Sequence, residues 1–470
     1  MKNDLKQMGL FTIGPFLSKI LSFVLLPVVS YFVSLSDYGQ YTLFTVLLLY
    51  FQSFITLATE QYYLRVYSSE NAINMRKVLF ILFMLTTSIL LVIIFILYMI
   101  GIFKFSQFML FVIALLVSYF TMIQDIYGRT FRSRNMGKYY SLSTIIVQVA
   151  NFIFCILFVL LLKNVLGLML GQLISMIIGT IIIRLIVKKR ISILEIDHKL
   201  HLIDIKRILT NAILYSLPLL PSIFLWILQT SIGRISLAGD SLLLGIYGVG
   251  FKLSSITNLF VTSFIIFWEP KIFHLFDSKS SDVEYINLVK KYRNLYSLLI
   301  ETIIVGLIIF NPIIMTFMEK SYRAAMYILP IMVLSNYING YNYFEGFGPQ
   351  LTEKTHKTIL PLVISLLVNI LLIFFFGKNN IFIVALSANI GLLIQLILDA
   401  NISNKITPKI NYFDSVIRIT LYSFITAFFY LSHNYVYTVI LAVMVFIIVN
   451  FKIIMEYGKN IIKYMADCKK

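Results

Sequence analysis

The chain has 470 residues, 59% of them hydrophobic and only 13% charged, with a formal net charge of +18. A soluble protein of this length carries roughly a quarter of its residues as charges, so the composition excludes a water-soluble globular protein. It leaves a polytopic membrane protein with little room for a soluble domain.

Fourteen apolar spans are predicted, at approximately 10–35, 41–64, 78–103, 106–127, 139–162, 165–187, 211–232, 243–268, 293–317, 323–345, 357–376, 381–400, 413–432 and 434–454. The run "VLFILFMLTTSILLVIIFILYMIGIF", Val78 to Phe103, has no charge. At ~1.5 Å per residue it exceeds the ~30 Å of hydrocarbon in a bilayer. Lipid cannot satisfy open backbone groups, so the spans are expected to be helices. They are too long and uniform for the alternating segments of about ten residues that build a membrane barrel. The first run follows "MKNDLKQ" without a small-residue cleavage pattern and reads as a retained helix. The joins near 35–41, 103–106 and 432–434 suit tight hairpins.

Basic residues assign an orientation. Segments on the N-terminal side of the membrane hold 31 of the 39 lysines and arginines, the opposite loops hold 6, and Lys19 and Lys252 lie inside spans. By the positive-inside rule both tails are expected in the cytoplasm. The positive charge is then a rim facing anionic membrane lipid, and no nucleic-acid partner is expected. The organisation expected is an N-terminal bundle over 1–187, a cytoplasmic linker over 188–210, a second bundle over 211–400, and two additional helices with a tail over 401–470. A faint internal repeat supports two parallel halves: Pro15, Gly39 and Tyr41 recur at the same spacings as Pro221, Gly245 and Tyr247.

Ionisable groups inside a bilayer are expensive and usually face the bundle interior. Lys252 lies ~14 Å along its helix from the span's start. Lys19 lies comparably deep in the first span. Each either snorkels toward an interface or lines a cavity. Arg234, in "SIGRISLAGD", is a rare basic residue on the outer side, with Asp240 nearby. Arg65, Arg129, Arg132 and Arg134 gather at the cytoplasmic mouth, where phosphates of lipid or cargo would suit them. Glu60, Asp125, Glu301 and Asp399 are the candidates for coupling to H+ or Na+. Gln148, Gln172, Gln229, Asn369, Asn389 and Gln395 read mainly as interhelical glue. Pro27, Pro218 and Pro221 are hinge candidates, because each removes a helical hydrogen bond.

No catalytic constellation or cofactor motif stands out, and no phosphate-cradling P-loop is present. Two isolated cysteines, Cys155 and Cys468, imply neither a disulfide framework nor a thiolate metal cluster. His198 and His201 would need a further ligand, so no metal site is expected.

The segments "FLSKILSFVLLPVVSYFVSLSDYGQYTLF", "LATEQYYLRVYS", "YGRTFRSRNMGKYY" and "YSLPLLPSIFLWILQTSIGRISLAGDSLLLGIYGVGFKLSSI" carry a resemblance. In this order they resemble the polysaccharide-unit flippases, the translocases of O-antigen and capsular repeat units. These belong to the multidrug/oligosaccharidyl-lipid/polysaccharide exporter superfamily. Pro218, Pro221, Arg234, Gly245, Tyr247 and Lys252 match the family pattern, while Gly233 stands where the family commonly has Asp. The resemblance implies an all-α, MATE-like fold of two six-helix bundles plus two C-terminal helices, in the bacterial cytoplasmic (inner) membrane. It implies a non-enzymatic flippase that moves undecaprenyl-diphosphate-linked glycan outward by alternating access. Lys19, Lys252 and Arg234 would face the cargo, and a polysaccharide polymerase and a chain-length regulator would be partners. The alternatives are a lipid II flippase, a cation-coupled multidrug exporter and a membrane polysaccharide polymerase. The exporter would need acids deep in its first helices, and the polymerase would need a large outer loop.

Overall fold

The computed structural model describes residues 2–66, 72–134, 136–190, 202–278, 281–377 and 380–467, and every structural statement concerns these. Packing divides the chain into two compact units, Met1–Gly245 and Ile246–Lys470. Both are helical, as lipid demands of a backbone with no water to bond.

The first unit contains α1 (Lys2–Ser30), α2 (Leu35–Thr56), α3 (Thr59–Val66), α4 (Ala72–Met99), α5 (Phe105–Ser133), α6 (Gly137–Leu162), α7 (Val165–Arg190), α8 (Leu202–Ser216) and α9 (Leu220–Ser236). It ends in the first turn of α10 (Ser241–Asp277). Its core is built on α2, α4 and α5, with Phe44, Leu48, Ile55, Phe83, Leu115 and Ile126 buried together. α1 lies along α6, and α6 pairs with α7. α9 packs on α2. The packing boundary falls at Gly245–Ile246, and α9, in the seventh predicted span, is held to α2 by Arg234. Of the linker expected over 188–210, 191–201 lies outside the described residues, and His198 and His201 with it.

The second unit holds the rest of α10, then α11 (Asp282–Thr316), α12 (Leu329–Glu345), α13 (Gly348–Leu351), α14 (Ile359–Phe376), α15 (Ile381–Ser403), α16 (Phe413–Ser432) and α17 (Tyr435–Asp467). α15 packs between α12 and α14, while α16 and α17 pack on α12 and α11.

Eleven described helices are long and apolar enough to cross a membrane. The expected spans at 41–64, 323–345 and 434–454 are not among them. The first of these is covered by α2, 22 residues long but diluted by Gln40, Thr42, Thr45 and Gln52; the chain turns after it, where Leu57 and Ala58 both take positive φ, 48° and 61°. That conformation costs a side-chain-bearing residue energy. Thr86 Oγ1 donates to the Ile55 carbonyl (2.9 Å), one of the groups at the broken helix end. The second opens with a 3-10 turn, Lys320–Tyr327, which leaves α12 only 17 residues. In the third, the described apolar part of α17 is Tyr435–Phe451. The span Asp204–Ser236 is interrupted by a 3-10 turn at Leu217–Leu219 that contains Pro218, and Pro221 follows in the first turn of α9. Proline breaks the ladder where the two prolines predicted a bend.

The surfaces are apolar where lipid would touch them. On α4, Met84, Leu85, Ile89, Val92, Ile93 and Ile96 are all exposed. Water does not tolerate a patch of this size on a monomer, whereas acyl chains do. This is a multi-pass membrane protein.

Candidate functional site

Lys19 is exposed on α1, and its direction follows from helix geometry. Ile13, Leu17, Ile20 and Val24 recur at spacings of four, three and four and are exposed at 50, 40, 39 and 45%. They form one apolar stripe of the kind that meets lipid. At about 100° per residue, Lys19 stands roughly 130° around the helix from that stripe. It shares its face with Leu26 and Ser30, seven and eleven residues on, both buried at 2%. One face of α1 thus runs from packed apolar contact at its C-terminal end to an exposed ammonium. The neighbouring face docks on α6, with Gly14 N donating to Ser141 Oγ (3.2 Å) and Ser18 Oγ to the Thr144 carbonyl (3.1 Å).

Lys252 is half-buried on α10. One turn later begins a polar face of the same helix: Asn258 and Thr262 are exposed, Ser255 and Glu269 half-buried. Spacings of three, four and seven put these four on one side. The Ser255 hydroxyl returns to the Lys252 carbonyl (2.6 Å) and the Thr262 hydroxyl to the Asn258 carbonyl (2.9 Å). Such self-bonding lowers the cost of hydroxyls in an apolar medium. Ile266, 55% exposed, lies on the same side between Thr262 and Glu269, so this face mixes amide, hydroxyl and carboxyl groups with an apolar side chain.

Arg234 is placed differently. It is buried, its Nη1 donating to Thr45 Oγ1 of α2 (3.2 Å) and its Nη2 to the Thr230 carbonyl (3.2 Å). In this conformation the guanidinium ties α9 to α2. Asp240 caps α10, accepting from the main-chain nitrogens of Leu242 and Leu243 (both 3.0 Å).

Nearby, the repeat seen in the sequence has a physical use. A Cβ on Gly39 would lie 2.2 Å from the Ser241 carbonyl oxygen, and one on Gly245 would lie 2.2 Å from the Leu35 carbonyl oxygen. The contact is reciprocal: each glycine admits the backbone four residues before the other. Ser36 and Ser241 join their hydroxyls at 2.6 Å beside it.

Of the residues expected at a cytoplasmic mouth, Arg129 pairs through Nε with Asp125 (2.6 Å), and its Nη1 bonds the Glu60 carbonyl (3.2 Å). Arg132 lies over the Tyr140 ring, 5.6 Å from its centroid. Arg134 ends α5 as its cap. The Arg65 side chain lies outside the described residues.

The second unit contains a charge network that the sequence did not reveal. Glu301 on α11 is fully buried. Its Oε1 accepts from Tyr337 (2.6 Å) and Arg418 Nη1 (3.1 Å), its Oε2 from Asn450 (2.6 Å) and Tyr422 (3.4 Å). Arg418 also reaches Asp414 (3.2 Å) and the Val449 carbonyl (3.0 Å). Arg293 binds Glu345 (3.2 Å), which also accepts from Ser415, and approaches Asp414 at 3.8 Å. Glu345, Arg293, Asp414, Arg418 and Glu301 form one chain across α11, α12 and α16, with Asn450 of α17 at its end. Arg293 and Arg418 are among the 31 basic residues assigned from the sequence to the N-terminal side of the membrane; both side chains are buried. Asp399 stands outside this chain, buried on α15, with Asn342 Nδ2 donating to its Oδ2 (2.9 Å). No cluster of three or more His, Cys, Asp or Glu side chains able to hold a metal occurs among the described residues.

Comparison with known proteins agrees with this architecture. Residues 5–276 match the model of a family described as polysaccharide biosynthesis protein. No curated protein sequence matches. Among solved structures, the lipid II flippase MurJ in an inward closed conformation aligns over 95% of this chain and 99% of its own, at 16% identity and a TM-score of 0.69. The Vibrio cholerae MATE transporter VcmN aligns over 86% and 97%, at 14% identity and 0.59. A Pyrococcus furiosus transporter of the MOP superfamily, described as having a binding pocket of reverse polarity, aligns over 90% and 96%, at 16% identity and 0.53. With more than half its length matched by the family model and its fold shared with MurJ and the MATE transporters, this chain belongs to the polysaccharide biosynthesis protein family.

Proposed function

We propose that the protein carries undecaprenyl-diphosphate-linked oligosaccharide units from the cytoplasmic to the outer leaflet of the bacterial cytoplasmic membrane, with both tails in the cytoplasm. The observation that carries this reading is Lys19, an ammonium exposed on a membrane helix yet turned well away from that helix's lipid stripe. A charge so placed needs water or an anion. On α10 the exposed Asn258 and Thr262 supply further polar groups beyond Lys252. A diphosphate drawn into the membrane needs both positive charge and water. The lipid tail stays in the bilayer, no covalent bond changes, and the cycle alternates access between leaflets. A polymerase and its chain-length regulator would use the delivered units.

Lipid II is the second reading, favoured by the likeness to MurJ over nearly the whole chain. A cation exporter fits less well, because the membrane part of α1 beyond Gly9 carries no carboxylate. The test is flipping of fluorescent undecaprenyl-diphosphate glycans in proteoliposomes. Wild type is expected to expose the label to an added quencher, with Lys19→Ala and Lys252→Ala each several-fold slower. Wild-type rates in both variants would overturn the assignment, and preference for lipid II over an oligosaccharide unit would select the second reading.

A further inference from the structure

We propose that Arg76, Tyr127 and Arg184 of the first unit hold the headgroup phosphate of an anionic phospholipid, as a fixed site and not as the diffuse attraction of a basic rim. The site is separate from the cargo and stands whatever the cargo is. α4 and α7 both pack on α5. Short joins make α4 to α7 antiparallel, so α4 and α6 begin where α5 and α7 end. Nine lysines and arginines of these four helices lie at that end. The same helices carry one acid, Asp125, and it holds Arg129 at 2.6 Å.

Two of the arginines converge. Arg76 of α4 lies over the Tyr127 ring of α5, 6.0 Å from its centroid, and Arg184 of α7 acts electrostatically on the same phenol. The ring is held in place: Phe80, one turn along α4 from Arg76, meets it edge-on at 5.3 Å, and Ile123, Phe131, Ile183 and Val187 are buried around it. Two guanidinium groups drawn to one ring repel each other. A phosphate beside them replaces that repulsion with charge-assisted hydrogen bonds, for which the guanidinium fork is suited. The depth fits a headgroup. Arg76 stands four residues after the start of α4, about 6 Å, and Arg184 six residues before the end of α7, about 9 Å.

The neighbours of the two arginines require that the anion bring acyl chains. Arg184 is exposed, and beside it Ile181 and Leu185 are exposed at 54 and 61%. On α4, further into the span than Arg76, Ile81 and Met84 are exposed at 44 and 63%. A soluble anion offers such side chains nothing, whereas a phospholipid seats its phosphate and covers them at once. Basic pockets between membrane helices bind acidic headgroups in this way. The bound lipid bridges α4 to α7 across α5.

The test uses the full-length protein in a neutral detergent. Native mass spectrometry counts the lipid retained after addition of phosphatidylglycerol or phosphatidylcholine, and thermal unfolding reads the stabilisation. Phosphatidylglycerol should be retained several-fold more than phosphatidylcholine and should raise the melting midpoint further. Arg76→Gln and Arg184→Gln should each remove most of that preference. Lys138→Gln and Lys189→Gln, which take the same charge from the same end, should keep it. An equal fall in all four variants would mean a diffuse rim and overturns the proposal, as does an undiminished preference in Arg184→Gln. Equal stabilisation by inorganic phosphate overturns it by making the ligand a free anion. Displacement of phosphatidylglycerol by equimolar undecaprenyl diphosphate overturns it by making the site a station for cargo. Arg184 is exposed, so its variant should fold; if Arg76→Gln does not, Arg184→Gln decides alone. No step of this test depends on flipping, so failure of the flippase reading is read separately.

Discussion

Arg418 enters an apolar helix with its guanidinium committed to Glu301, Asn450, Asp414 and a carbonyl. Three of those partners lie on other helices, so the residue holds α16 to α11 and α17. Removing one partner of a buried ion pair leaves the other unpaired, at a cost of about 3–5 kcal/mol. Arg418→Ala should therefore lower thermal stability in detergent by that order, and Glu301→Gln restored beside it should recover part of the loss. If the single and double variants melt together, Glu301 is not what Arg418 neutralises. The sequence identified Glu301 and Asp399 as acids within the membrane, but it could not tell the paired acid from the unpaired one. Glu301 and Arg418 meet from 117 positions apart, and no local spacing encodes that meeting. Arg418 looked like a rim charge because its helix begins at Phe413, only a turn and a half earlier. Lys19 was legible as a costly charge; that it leaves the lipid stripe needed the exposure of its neighbours.

At the scale of elements, long charge-free runs and prolines were the legible features. α4 through α7 follow the predicted spans, and the break at Pro218 falls where two prolines forbid a continuous ladder. The break at Leu57–Ala58 was not legible, since neither residue type favours positive φ. The spacing shared by Pro15, Gly39, Tyr41 and Pro221, Gly245, Tyr247 looked faint as a pattern, yet it marks the two glycines of a reciprocal backbone approach. A methyl group at either must displace a carbonyl of the facing helix. Overpacking of this kind costs about 1–3 kcal/mol. Gly39→Ala and Gly245→Ala should each destabilise the protein, and the double variant should cost less than the two losses combined, because both disrupt one contact. Additive losses in thermal unfolding would mean that the glycines act independently.

For the whole molecule, hydropathy and the 31-to-6 division of basic residues predict a multi-pass protein with both tails on one side. The division survives the burial of Arg293 and Arg418, since removing both leaves the imbalance large. It is a statement about insertion and can be tested without cargo or function. Cys155 is buried between α6 and α7, with its thiol near the Asn151 side chain (3.5 Å) and the Leu168 carbonyl (3.7 Å). A buried thiol in apolar surroundings is inert to polar reagents. The other cysteine, Cys468, lies in the basic tail at the end of the chain. A Cys155→Ser protein thus carries a single reporter at its C-terminus. In right-side-out vesicles a membrane-impermeant maleimide should leave it unmodified, and in inside-out vesicles the same reagent should label it fully. The reverse result would place the basic rim outside, and the diphosphate lipid would then be loaded from the wrong leaflet for export.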